Sequence, residues 1–161
     1  MTDKITVVAT GKTIVGKGIR SFDTVLESLI KDARHDIHIA VYQFGSGAKP
    51  LILLLEEALK RGVEVTIISN EYSKQPSSVR EKFKRMKMAF PSSFHLFSYD
   101  CIDGILHTKV FVFDSKKVII GSANFTWRAM VNNVELGVLI EGSTANQILD
   151  AICTLETNLV E

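Results

Sequence analysis

The stretch that most limits how this chain can fold runs from 35 to 68. His35 to Phe44 is dominated by Ile37, Ile39, Ala40, Val41 and Phe44, as in a strand that is largely buried. Gly45-Ser46-Gly47 ends it at a flexible corner, of the kind where an α/β sheet often meets its ligand, so Gln43 and Ser46 are candidates for the rim of a site. Pro50 then stands at a favoured first-turn position, and a helix is expected over 51–61 with Gly62 as its C-cap. Val63-Glu64-Val65-Thr66-Ile67-Ile68 is the next strand. Strand, helix and strand joined this closely make a right-handed crossover, which lays the two strands parallel. The expected fold class is therefore α/β, with a mixed, mainly parallel sheet and helices on both faces.

The rest of the chain fits that frame. A first strand is expected over 5–9. Residues 10–18 hold Gly11, Gly16 and Gly18 with Lys12 and Lys17, but no Gly-Lys-Ser/Thr precedes a helix. A plain loop or short hairpin is favoured there over a phosphate cradle, with backbone contacts to substrate left open. Ser21 is placed as an N-cap for a helix over 22–33, whose Phe22, Val25, Leu26, Leu29 and Ile30 share one face. His35 reads as a surface residue and His38 as a satisfied strand histidine. Ser78 is placed as the N-cap of a helix over 79–89 that carries Arg80, Lys82, Lys84, Arg85 and Lys87 against Glu81 alone, a candidate contact for a phosphate backbone or a solvated face. A strand over 94–97, a loop over 99–106, a strand over 134–140 and a helix over 145–159 complete the reading. Trp127 either lines a substrate groove or plugs the core.

The chemistry concentrates in residues 107–124. Val110-Phe111-Val112-Phe113 and Val118-Ile119-Ile120 flank Asp114-Ser115-Lys116-Lys117, the pattern of a β-hairpin. Alternation puts His107, Lys109 and Phe111 on one face of the first strand. Ser122 and Asn124 follow the second strand at the same end. An imidazole, an ammonium, a hydroxyl and an amide are thereby gathered at one place, the set a phosphodiester needs: a nucleophile, a positive charge and donors for its oxygens.

The spacing H-x-K-x4-D-x6-G-S-x-N over His107, Lys109, Asp114, Gly121, Ser122 and Asn124 resembles the signature of the phospholipase D superfamily, and Glu135 falls where similar proteins carry an acidic residue that orients the histidine. The resemblance implies a phospholipase D-like half-domain and covalent catalysis. One His107 attacks phosphorus, and the His107 of a partner subunit protonates the leaving alcohol and then activates water. Lys109, Ser122 and Asn124 hold the phosphoryl oxygens, Glu135 fixes the histidine tautomer, and Asp114 and Gly121 are structural. The superfamily's site uses two copies of the motif and this chain carries one, so a homodimer with a shared site is implied, as in the similar Nuc-type endonucleases and the cardiolipin hydrolase/Zucchini group. The catalytic part of phospholipase D-type restriction enzymes is also similar. No cofactor or metal is needed, because the motif brings its own nucleophile and cations.

Composition sets the remaining bounds. A chain of 161 residues is one domain, the phospholipase D-like catalytic domain. Nineteen basic and eighteen acidic residues leave a net charge of +1, which does not advertise nucleic acid but leaves room for a local basic patch. Cys101 and Cys153 are too few for a disulfide framework, have no metal spacing, and fit a reducing, cytoplasmic setting. Neither a transmembrane segment nor a signal sequence is read in the chain as given, and no stable membrane association is expected. The expected function is a metal-independent endonuclease acting on DNA or RNA. The alternatives are a cardiolipin-type phospholipid hydrolase and a non-catalytic nucleic-acid-binding or dimerisation module.

Overall fold

A computed structural model describes residues 2–159. The strands are β1 (Lys4–Ala9), β2 (Arg20–Ser21), β3 (Asp36–Val41), β4 (Glu64–Asn70), β5 (Phe94–Tyr99), β6 (Lys109–Phe113), β7 (Lys117–Gly121) and β8 (Leu136–Glu141), and the helices are α1 (Phe22–Asp32), α2 (Lys49–Lys60), α3 (Ser77–Ala89) and α4 (Ser143–Glu156). All eight strands form one sheet in the order β2-β1-β8-β7-β6-β3-β4-β5. The expected crossover is present, with β3 parallel to β4 and β4 parallel to β5. The hairpin makes β6 antiparallel to both β3 and β7, and β8 is antiparallel to β7 and β1. β1 to β5 and β7 thus run one way, and β6 and β8 the other. The sheet is mixed and mainly parallel in strand direction, although only three of its seven neighbour pairs are parallel.

Helices cover both faces. On one, Phe22, Leu26 and Ile30 of α1, Ile52 and Leu55 of α2 and Phe83 of α3 pack on Val8, Ile37, Ile39, Val65, Ile67, Phe111 and Ile119. On the other, α4 brings Ala145 and Ile152 against Ala40, Ile68, Val110, Val112 and Val118. The alternation along β6 divides these two cores residue by residue.

Several boundaries differ from the sequence reading for identifiable reasons. The strand expected over 35–44 stops at Val41, because its partner β6 begins at Lys109, paired with Val41, and the ladder ends there. The chain continues through a single bridge between Phe44 and Phe125. Ser21 does precede α1, but its hydroxyl donates to the Asp23 carboxylate and makes no capping bond to the helix. α3 starts at Ser77 with Pro76 as the residue before it, so Ser78 is inside the helix. Residues Arg128–Asn132 form a turn of π-helix that the sequence reading left unassigned. The glycine-bearing segment 10–18 is a loop, with Gly11, Gly16 and Gly18 at positive φ.

Candidate active site

Lys109 opens β6 and is buried, with 8% of its surface exposed. Its ammonium donates to the His107 carbonyl at 2.7 Å and stands 5.8 Å from the centroid of the Tyr42 ring. Burial lowers its pKa, and the nearby Glu135 carboxylate works in the opposite direction. A cation held this way has few water partners, so its field is weakly screened where an anion would dock. His107 lies just outside the strand and is exposed, with its ring against Tyr42 at 5.2 Å between centroids. Tyr42 is thus a site residue that the sequence reading passed over. The only available signal was its place at the end of a buried strand.

The other side of the site is built where β7 and β8 meet. The Ser122 hydroxyl donates to a Glu135 oxygen at 2.5 Å and accepts from the Leu136 amide at 3.1 Å. Asn133 Nδ2 donates to the second Glu135 oxygen at 3.0 Å. Among the described residues, the Glu135 carboxylate is therefore held by Ser122 and Asn133, and its charge acts on Lys109 rather than being bonded to His107. Thr10, at the end of β1, fixes the position of this pair. Its hydroxyl donates to the Asn133 carbonyl at 2.7 Å and accepts from the Glu135 amide at 3.0 Å. Residues so far apart in sequence leave no spacing pattern to read.

Gly121 explains how β7 and β8 come close enough. A Cβ there would lie 2.6 Å from the Leu136 oxygen and 2.7 Å from the Gly137 Cα, so the contact needs glycine. Among the described residues, Asn124 Oδ1 is buried and finds no hydrogen-bond partner. A buried acceptor left unpaired costs about 1–3 kcal/mol. Rotating that amide by half a turn offers an NH2 to a ligand oxygen from the same place.

Asp114 lies at the far end of β6, away from this cluster. Its carboxylate accepts from the amides of His35 at 2.7 Å and Arg34 at 2.9 Å, and Asp36 accepts from the Ser115 amide at 3.2 Å in return. These reciprocal bonds fasten the β6–β7 turn to the start of β3.

The five cations of α3 divide between two sides of the helix. Arg80, Lys84 and Lys87, at i, i+4 and i+7, border a groove over Tyr72, Phe83, Met88 and Leu96. Lys82 and Arg85 face the cleft toward α2, where Lys82 pairs with Glu56 at 3.0 Å. Gln75 joins the groove to the site: its carbonyl accepts from Arg80 Nε at 3.0 Å, and its side chain donates to the Tyr42 carbonyl at 3.3 Å. Of the two expected rim residues, Gln43 lines a hollow with Tyr42, Asn70, Lys74 and Gln75, whereas Ser46 lies in the α2–α3 cleft. Trp127 is half exposed and packs beside Gly47 and Pro50.

This arrangement places an open imidazole beside a buried cation, with a hydroxyl–carboxylate pair and an unsatisfied amide at the same end of the sheet. Comparison with known proteins agrees. The family model described as "Cardiolipin synthase, PLD-like domain" matches residues 26–154. The DISARM protein DrmC of Bacillus paralicheniformis is 27% identical over 153 residues, 94% of this chain and 62% of that protein. A phospholipase D of Rickettsia bellii is 33% identical over 112 residues, 70% of this chain and 52% of its own length. The chain therefore spans only about half to three fifths of these relatives. The crystal structure of Nuc, a phospholipase D family member from Salmonella typhimurium, shares the fold, with a TM-score of 0.78 at 24% identity over 99% of this chain and 97% of that one.

Proposed function

The chain belongs to the phospholipase D-like family, and on that premise we propose that it is a metal-independent phosphodiesterase that cleaves DNA or RNA in a site shared by two subunits. The observation that carries the reading is the pairing of exposed His107 with buried Lys109. His107 attacks phosphorus, forming a P–N bond as the P–O bond to the leaving alcohol breaks. The His107 of a second subunit gives that alcohol its proton, then takes one from the water that releases the histidine. Lys109 and the Asn124 amide receive the charge that builds on the phosphoryl oxygens, and the Ser122 hydroxyl joins them by turning its proton from Glu135 to the ligand. Glu135 keeps Ser122 in place and balances Lys109.

Two features support the finer points. Ile5, Val7, Ile120 and Leu136 are exposed on one face of β1, β8 and β7, next to the catalytic edge, as an isologous dimer surface would be. Arg80, Lys84 and Lys87 line one groove, which suits a phosphate backbone despite the near-neutral total charge. A second reading, hydrolysis of a phospholipid, rests on Ile102 and Ile105, exposed in the loop that leads to His107. Plasmid, single-stranded DNA, RNA and cardiolipin vesicles, each assayed with and without EDTA, separate the two readings. Cleavage of a nucleic acid by the wild type and not by His107→Ala is expected. Turnover of cardiolipin alone would replace the first reading with the second.

A further inference from the structure

We infer that His38, Cys153 and Glu156 form a binding site for a divalent transition cation, zinc above all, which fastens α4 to the sheet. The three side chains each offer one donor atom, and these atoms lie within 4.8 Å of one another. Cys153 and Glu156 are three residues apart on α4 and so share a helix face. His38 rises from β3 beneath that face, with Nδ1 3.2 Å from Glu156 Oε1. Tetrahedral zinc, with bonds of about 2.0–2.3 Å, needs its donors somewhat closer, about 3.2–3.8 Å apart, a small side-chain adjustment at a partly buried seam. Imidazole with thiolate is the pair that selects zinc over magnesium or calcium.

Burial above all, and then the carboxylates of Glu156, Asp150 and Asp36, raise the pKa of the Cys153 thiol, so a bound cation has to displace its proton. Asp36 Oδ1 is 3.7 Å from the other nitrogen of His38, and its oxygens also accept from Ser115, which places Asp36 in position to orient the imidazole rather than to bind the ion. The site is separate from the catalytic one. His38 pairs with Val112 and Lys109 with Val41, three residues further along β3, or about 10 Å. Alternation also puts Lys109 and His38 on opposite faces of the sheet. The sequence offered no spacing for this set, because two ligands come from the last helix and the third from a strand more than a hundred residues earlier. A hydrogen-bonded His38–Glu156 pair with no further role is the competing explanation, and it predicts no response to metal.

The test uses the full chain titrated with zinc chloride and, separately, cobalt chloride. Saturable one-to-one binding, a raised unfolding temperature with zinc and a thiolate-to-cobalt absorption band are expected. Cys153→Ser should remove the band, and Cys153→Ser and His38→Gln should each weaken binding about tenfold or more. His107→Ala should bind as the wild type does, and Cys153→Ser should keep phosphodiesterase activity. Cys153→Ser, a small change, carries the test if His38→Gln fails to fold. Absence of saturable binding, binding unaffected by Cys153→Ser, or binding lost only in His107→Ala would overturn the proposal.

Discussion

Replacing Asp114 asks whether an aspartate inside the catalytic signature takes part in the chemistry. Its carboxylate accepts from the amides of His35 and Arg34 at 2.7 and 2.9 Å. A hydrogen bond to a charged group contributes about 1.5–3 kcal/mol when buried, and less at this half-exposed turn where water takes part of the load, so the two together are worth about 2 kcal/mol. Asp114 also has φ of 52°, a conformation that aspartate and asparagine tolerate and alanine resists by about 1 kcal/mol or more. Asp114→Ala should therefore cost about 3 kcal/mol, and Asp114→Asn, which keeps an acceptor and the turn preference, about 1 kcal/mol.

The pH dependence has a definite sign. Burial alone would raise the Asp114 pKa, but the amides of His35, Arg34 and Asp36 outweigh it and bring the value below 3.8. A carboxylate depressed in the folded state stabilises above its unfolded pKa and loses that contribution as pH falls through the folded value. Urea unfolding of the wild type and Asp114→Asn should differ at pH 7 and converge in acid. Catalysis should change by less than about threefold, since β6 holds Asp114 about 15 Å from Lys109. A variant that unfolds like the wild type at pH 7 yet loses two orders of magnitude in kcat/KM would put Asp114 in the chemistry instead of in the turn.

Other outcomes follow from the site. His107→Ala should abolish turnover with the fold intact by circular dichroism, and Lys109→Ala should lose nearly as much, by about a thousandfold, as removal of preorganised charge does. Excess EDTA should leave hydrolysis unchanged, and strict restoration by magnesium after chelation would indicate another chemistry. Lys84→Ala with Lys87→Ala should weaken nucleic-acid binding and flatten its salt dependence by about two in log–log slope, while a small phosphodiester substrate is cleaved as before.

Much of this was legible in the sequence because local rules decided it. The hairpin around Asp114 pairs turn residues with β-branched strands, and the crossover through Gly62 needs nothing beyond its own residues. Both are present. Lys109 on the strand face with Phe111 follows from alternation alone. What escaped depends on partners distant in the chain. β3 is shorter than its apolar run because β6 starts late. Thr10 reaches Glu135 only because β1 pairs with β8. The Ser122–Glu135 bond exists because Gly121 and Gly137 face each other across β7 and β8. The expected histidine partner for Glu135 came from resemblance, and within one chain its carboxylate goes to Ser122 and Asn133 instead.

In the proposed dimer each chain, with its one His107, supplies half a site. Wild-type chains mixed by unfolding and refolding with a tenfold excess of His107→Ala chains test it directly. Random pairing leaves about one wild-type chain in eleven with a wild-type partner in a two-fold dimer. Activity per wild-type chain should fall toward that fraction, while light scattering gives twice the chain mass. Unchanged activity per wild-type chain, or full activity in a strictly monomeric protein, would contradict the shared site.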